Sequence, residues 1–259
     1  MAHLPTDRGN TVQLGDGLAV SPLGFGGMAL TPVYGDVDPA EALRTLHHAV
    51  DAGVSFIDTA DIYGGGSNEE LISQLLKDRR DEVQLATKFA LVGTPTDGYT
   101  DIRGDVEYVR QAVERNVVPA AAGLGVGFVP YSPLGRGFLT GTVDTSSLGA
   151  NDFRRNIPRF APDAAAANQA VVDAVRNVAD QLDATPAQVA LAWLLAQGGR
   201  LGLPVVPIPG TRKSARIDEN LGALALDLTP AHLQVLDAAS DAVVGSRSAD
   251  PKWVSEGRE

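Results

Sequence analysis

The stretch that decides the fold reads Phe56-Ile57-Asp58-Thr59-Ala60-Asp61-Ile62-Tyr63-Gly64. Its apolar start predicts a buried strand that ends on Asp58, and a short loop then carries Tyr63 to the start of a helix. The next predicted strand, Val83 to Lys88, ends on an ammonium group. Acid, phenol and ammonium at the ends of strands predict a proton-donating site on an α/β scaffold.

Tyr63 is the candidate proton donor of this site. A phenol has an ordinary pKa of about 10, so it donates a proton at neutral pH only with a cation nearby. Lys88 is the predicted cation, and Asp58 is predicted to pair with it and orient it. The alternative is a surface tyrosine beside a structural salt bridge.

Strands and helices alternate along the chain, which predicts a parallel sheet with helical crossovers in a single domain over residues 1–259. A hairpin is predicted over Thr11 to Val20. The strands that follow are predicted at Leu23 to Met28, Ser55 to Asp58, Val83 to Lys88, Val126 to Tyr131 and Val205 to Pro209. Helices are predicted after Asp38, from Ser67, near Asp105, over Asn168 to Leu182, from Thr185 to Gln197, from Lys213 to Leu221 and from Thr229.

Helix caps are the sharpest local signals. Asp38 with Glu41 and Ser67 with Glu70 match the capping box, whereas Thr185 and Thr229 each precede a proline at the first helical position. The first helix is predicted to bury the face Ala40, Leu43, Leu46, His47 and Val50. Two polar stretches, Gly93 to Gly104 and Thr142 to Pro162, are predicted as loops, the second a surface or active-site loop.

Composition excludes several classes of protein. The net charge of −11 disfavours nucleic acid and anionic membranes as partners, and the absence of cysteine excludes disulfides and thiolate chemistry. Neither a secretory signal nor a membrane span is predicted, so a cytoplasmic enzyme is expected. The four histidines, at positions 3, 47, 48 and 232, do not end strands and are predicted to be structural; no metal site is predicted.

Two glycine-containing motifs concern ligand binding. Gly24 to Ala29 has the form of a dinucleotide fingerprint, but Pro32 prevents the helix that this fingerprint must open, so a close-approach turn is predicted instead. Gly210-Thr211-Arg212-Lys213-Ser214-Ala215-Arg216 places three cations around a helix N-terminus, where an anion is favoured. A phosphate site is predicted there, with a solvated basic patch as the alternative.

Together these motifs resemble the aldo-keto reductases. The resemblance rests on Asp58 with Tyr63-Gly64, Thr87-Lys88-Phe89, Tyr131 to Gly137, and Ile208 to Arg212 with Arg216, Glu219 and Asn220. It implies a (β/α)8 barrel that binds NADPH in extended form and reduces an aldehyde or ketone, with Tyr63 as general acid.

The resemblance also implies a role for each site residue. Asp58 and Lys88 lower the pKa of Tyr63, Tyr131 stacks on the nicotinamide, and Gly27 and Met28 line the cofactor. Ser132, Leu134 and Arg136 follow the pyrophosphate. Gly210 belongs to the cofactor site, Thr211, Arg212 and Arg216 meet the 2′-phosphate, and Glu219 and Asn220 reach the adenine.

The chain departs from the family pattern in the middle. Only about five of the eight barrel strands are identifiable, because the segments expected for strands four to six are missing. A deletion seam is predicted near residues 114–119, beside Pro119, which breaks the helical pattern. The catalytic histidine that the family carries on its fourth strand is missing with them. The shortened chain is expected to close a smaller barrel, to self-associate through its open edges, or to fold poorly.

Two functional interpretations follow. One is an NADPH-dependent reductase of small-molecule carbonyls whose activity the missing strands impair. The other is a non-catalytic remnant that binds nucleotide or oligomerises.

Overall fold

The computed structural model describes residues 11–15, 17–60, 63–87, 91–94, 98–102, 127–150 and 152–245. The first elements are the antiparallel strands β1 (Val12–Gln13) and β2 (Ala19–Val20), which form the predicted hairpin. Next come β3 (Phe25–Gly26), β4 (Phe56–Asp58) and β5 (Gln84–Ala86), which pair in parallel in that order. Asp58 pairs with Gly26 on one side and Ala86 on the other.

The last strand region, residues 205–209, lies beside β3, the first of the parallel strands. The N–H groups of Gly24 and Gly26 donate to the carbonyls of Pro207 and Pro209 at 3.0 and 3.3 Å. On its other side, Val205 forms a parallel bridge with Phe128. Five extended segments therefore lie side by side in the order Phe128, residues 205–209, β3, β4 and β5. This order brings the first parallel strand and the last strand region together as a barrel requires, and its five segments are the five that the sequence predicts.

Both faces of β4 are buried. Phe56 packs on the inner face with Val20, Val206 and Ile208. Its neighbour Ile57 points to the outer face, into a core with helices α1 (Pro39–Asp51) and α2 (Ser67–Arg79). Alternate side chains of one strand thus fill two layers, as in a sheet covered by helices.

The remaining helices are α3 (Pro162–Gln181), α4 (Pro186–Leu201), α5 (Ser214–Leu221) and α6 (Pro230–Asp241). The caps at Thr185 and Thr229 are confirmed, and in each the N–H of the threonine donates back to the side chain three residues on. Asp38 also caps its helix, but it accepts from the N–H of Ala40, at the second helical position.

Several predicted bounds were wrong. Ser67 is the first residue of α2 and not its cap, because a 3₁₀ turn, Tyr63–Gly66, runs directly into the helix and Gly66 takes the cap position with φ 94°. α3 begins at Pro162, since its alanines extend the helix to the preceding proline. α4 continues past Gln197 to Leu201 and ends at Gly202, whose φ of 70° suits a glycine C-cap.

The strand and loop predictions also need correction. The predicted loop from Gly93 to Gly104 contains part of an antiparallel hairpin, β6 (Leu91–Thr94) with β7 (Gly98–Ile102). Among the described residues, the predicted strand Val126 to Tyr131 pairs at Phe128 alone, and the predicted strand Val83 to Lys88 pairs over Gln84–Ala86. The helix near Asp105 and the junction at Pro119 lie outside the described residues.

Candidate functional site

A cleft of about 700 Å³ opens at the carboxyl ends of the strands. It brings together most of the predicted site residues: Met28, Asp58, Tyr63, Tyr131, Ser132, Leu134, Arg136, Gly210, Thr211, Arg212, Arg216, Glu219 and Asn220. Gly27 is buried beside it, after β3. Lys88 lies outside the described residues.

Glycines let two backbones meet at the floor of the cleft. A Cβ on Gly26 would lie 2.6 Å from the carbonyl oxygen of Ile208, and one on Gly210 would lie 2.3 Å from that of Gly26. Gly27 is packed as tightly, against the backbone of Asp58. The Gly24–Ala29 motif is therefore a close-approach turn, as predicted, and it leads into a short 3₁₀ helix (Gly27–Leu30).

The acid end of the cleft is formed by Asp58 and Tyr63. Asp58 is the last residue of β4 and is 8% exposed. Tyr63 opens the 3₁₀ turn, and its N–H donates to the carbonyl of Ala60 at 3.0 Å. Strand and turn thus bring the predicted carboxylate and phenol to the same cleft.

A buried polar chain behind this end was missed by sequence reasoning. The hydroxyl of Thr59 donates to Oδ1 of Asn68 at 2.6 Å, and Nδ2 of Asn68 donates to the carbonyl of Gly27 at 2.9 Å. Asn68 is 1% exposed. It joins the ends of β3 and β4 to the first turn of α2. The available signal was that Asn68, which follows the glycines 64–66, lies on the buried face of a helix, where a polar residue needs partners.

The segment from Tyr131 to Gly137 forms one wall. Tyr131 lines the cleft and is 51% exposed. Ser132 and Arg136 have positive φ angles of 52° and 58°, a conformation that strains residues other than glycine and is often found at ligand sites. The guanidinium of Arg136 lies 5.2 Å from the centre of the Phe153 ring.

Part of the predicted loop from Thr142 to Pro162 lines the cleft beside this wall. Asp152 and Arg154 form an ion pair at 2.6 Å, and Arg154 also donates to the carbonyl of Arg136 at 3.2 Å. Its guanidinium lies 5.4 Å from the ring centre of Tyr34. Burial opposes ionisation of Asp152, but the hydrogen bonds from Arg154 outweigh it and keep the pKa of Asp152 below its ordinary value.

The basic end of the cleft surrounds the start of α5. Thr211 is buried, and its hydroxyl accepts from the N–H of Lys213 at 3.1 Å. Arg216 is exposed at the third position of α5. Asn220 is buried, and the carbonyl of Glu219 accepts from Gln188 at 2.9 Å.

The histidines that the structure describes do not line the cleft. His48 pairs with Asp218 at 2.7 Å, and His232 closes the capping box of α6. Both roles are structural, as predicted.

Comparisons with known proteins agree with this geometry. A model of the Aldo/keto reductase family matches residues 22–107 and 101–241. Probable aldo-keto reductase 1 of Glycine max is 31% identical over 306 positions, covering 86% of each chain. That alignment is longer than the 259 residues of this chain, so it includes positions that only the relative occupies. This and the divided family match are expected of an internal deletion, while the seam at 114–119 stays a prediction.

Solved structures support the same fold. The glycerol dehydrogenase of Gluconobacter oxydans has a TM-score of 0.69 at 20% identity and covers 93% of this chain and 97% of its own. A thermostable aldo-keto reductase in complex with the inhibitor epalrestat has a TM-score of 0.58 at 22% identity, with 89% and 99% covered. At such identities the likeness shows the fold alone, an incomplete (β/α)8 barrel. In the described ranges no helix is long and apolar enough to cross a membrane.

Proposed function

Because this chain belongs to the aldo/keto reductase family of oxidoreductases, we propose that it reduces an aldehyde or ketone to an alcohol with NADPH. The observation that carries the proposal is one cleft with a carboxylate and a phenol at one end and a cationic helix start at the other. Its volume lies within the range of small-molecule sites. The proposal covers a small-molecule carbonyl substrate, a single domain and a cytoplasmic location.

The residues present fit a dinucleotide. Gly26 and Gly210 keep the floor free of side chains, and the half-exposed ring of Tyr131 offers a stacking face for the nicotinamide. Ser132, Leu134 and Arg136 continue that wall toward the pyrophosphate, and Gly27 and Met28 border the opposite side.

The far end of the cleft suits the 2′-phosphate and adenine. α5 begins at Ser214, so its free N–H groups and dipole favour an anion near Thr211, Arg212 and Arg216. Glu219 and Asn220 lie further along the same helix and are assigned to the adenine.

Proton transfer is assigned to Tyr63. When bound, the reduced nicotinamide supplies a hydride to the carbonyl carbon. Tyr63 Oη gives its proton to the carbonyl oxygen, which completes the alcohol, and the phenolate regains a proton from solvent. Lys88 would stabilise that phenolate, with Asp58 holding the ammonium in place.

Replacement of Tyr63 by Phe tests this proposal. It removes the acid but keeps the ring, so we expect carbonyl-dependent NADPH oxidation to fall by at least about 100-fold, the usual contribution of a general acid. NADPH affinity, measured by fluorescence titration, is expected to stay within about twofold. Equal rates for wild-type and Tyr63→Phe protein would show that Tyr63 is not the acid.

The missing family segments favour a second candidate, a non-catalytic remnant that binds nucleotide or self-associates. Phe128 and β5 are the outer strands of the described part of the sheet, and an open edge promotes pairing with another chain. Three measurements separate the candidates: sedimentation velocity for the oligomeric state, thermal melting for cooperative folding, and turnover at saturating substrate for activity. A monodisperse, cooperatively melting monomer that turns over carbonyls excludes the remnant, whereas NADPH binding without turnover supports it.

A further inference from the structure

Arg212 is tied to a backbone turn on the far side of the cleft. Its guanidinium donates to three successive carbonyls, those of Gly35 at 3.2 Å, Tyr34 at 3.4 Å and Asp36. The planar fork of arginine suits such a multiple contact. Most of its donors that could meet a phosphate therefore already hold the turn that precedes α1.

The backbone of the same residue is held from a second side. Thr45, in the middle of α1, is completely buried, and its hydroxyl donates to the carbonyl of Arg212 at 2.9 Å. Less than one turn further along α1, His48 pairs with Asp218 of α5. The turn at 34–36 and α1 together therefore hold both the loop before α5 and α5 itself.

Arg216 differs from Arg212 in each of these respects. It is exposed, it lines the cleft, and its guanidinium has neither an ion pair nor a hydrogen bond to the residues that the structure describes. It lies in the first turn of α5, where the helix dipole adds to its attraction for an anion.

We propose that Arg212 and Thr45 are positioning residues that fix the phosphate-binding loop to α1 and to the turn at 34–36, and that neither of them sets the preference for NADPH over NADH. Arg216 keeps the role that the family resemblance implies for it, contact with the 2′-phosphate. The inference rests on the proposed NADPH-dependent function and revises the role that the family resemblance implies for Arg212. It also identifies Thr45, which touches no ligand, as a determinant of cofactor affinity.

Dissociation constants for NADPH and NADH test the division of roles. A direct phosphate contact affects only NADPH, so Arg216→Met is expected to weaken NADPH binding by about 10- to 100-fold and to leave NADH binding unchanged, as for a charged hydrogen bond. A misplaced loop affects both cofactors, so Arg212→Met is expected to weaken both by about 5-fold, with their ratio preserved.

Thr45 supplies the matched pair of variants. Thr45→Val keeps the shape but removes the hydroxyl, and it is expected to act like Arg212→Met, by about 2- to 10-fold on both cofactors. Thr45→Ser keeps the hydroxyl and is expected to bind both cofactors as the wild type does. If the role of Thr45 were purely steric, the order would be reversed, and Thr45→Val would bind both cofactors more tightly than Thr45→Ser.

Hydrogen exchange on the protein without cofactor gives an independent readout. Peptides covering residues 211–221 are expected to exchange at least about threefold faster in Arg212→Met and Thr45→Val, and unchanged in Arg216→Met. The inference is overturned if Arg212→Met narrows the NADPH preference as Arg216→Met does, or if exchange is unchanged in both positioning variants. Failure of the wild type to bind either dinucleotide, with exchange as expected, refutes the proposed function and leaves the positioning role standing.

Discussion

Replacing Asn68 by Ala would disconnect the ends of β3 and β4 from α2. The change removes the acceptor of the Thr59 hydroxyl and the donor to the Gly27 carbonyl, two hydrogen bonds between fully buried groups. Both strand ends lie at the cleft, Gly27 directly after β3 and Thr59 directly after Asp58. The perturbation therefore acts on stability and on the site together.

The magnitude follows from the groups left without this partner. A buried polar group that loses its hydrogen bond costs about 1–3 kcal/mol. Two such groups suggest a loss of about 2–5 kcal/mol in the free energy of unfolding. Thr59→Val takes the donor from Asn68 Oδ1 and leaves the bond from Asn68 to Gly27 in place, so we expect a loss of about 1–3 kcal/mol. The double variant is expected to lose less than the sum of the two single losses, by roughly 0.5–3 kcal/mol.

Urea unfolding monitored by circular dichroism measures these differences, with Gln74→Ala, an exposed position on the same helix, as the control. The control is expected to lie within about 0.5 kcal/mol of the wild type. A loss below about 1 kcal/mol for Asn68→Ala, or strict additivity with Thr59→Val, would refute the reasoning, because the hydrogen bonds would then contribute nothing to the fold.

Two further predictions concern the walls and floor of the cleft. The folded pKa of Asp152 lies below its unfolded value, so the contribution of Asp152 to stability is present above an ordinary aspartate pKa of about 4 and is lost as the pH falls through the folded value. Limited proteolysis of the loop 142–162 should therefore accelerate below about pH 4 in the wild type, while Asp152→Asn should be cut readily at pH 7. Equal cleavage of the wild type and Asp152→Asn at pH 7 would contradict this. Gly210→Ala places a Cβ at 2.3 Å from the Gly26 carbonyl and must push the first and last strands apart, which should lower the free energy of unfolding by about 1–3 kcal/mol. Calorimetry should show a melting temperature about 2–10 °C lower. The control Gly199→Ala, whose Cβ meets no atom within 4 Å, should not lower it.

Sequence reasoning succeeded where the determining interactions are local or periodic. The caps at Thr185 and Thr229 depend on residues within one turn, and the close approach at Gly26 follows from glycines that end a strand before a proline. The same reasoning placed Asp58 and Tyr63 at one cleft, because one ends β4 and the other follows within the short turn after that strand.

It failed where a distant partner decides the outcome. Leu46 and Val50 are buried in α1 as predicted, but Ala42, Thr45 and Ala49 complete the buried face in place of Ala40, Leu43 and His47. Thr45 occupies the buried face only because its hydroxyl meets a carbonyl far along the chain, which periodicity does not reveal. Asn68 was missed for the same reason. Arg212 was recognised as a cation near a phosphate site, but its three carbonyl partners belong to another turn.

The pairing of the last strand region with β3 has a consequence for biosynthesis. On the ribosome, β3 and β4 emerge long before Pro207 and Pro209, which are their neighbours in the finished sheet. At ordinary rates of translation the delay is on the order of 10–40 s, during which the Gly24–Gly26 edge lacks its partner. The cleft, whose lining includes residues on both sides of this late pairing, is therefore among the last features that the nascent chain can complete.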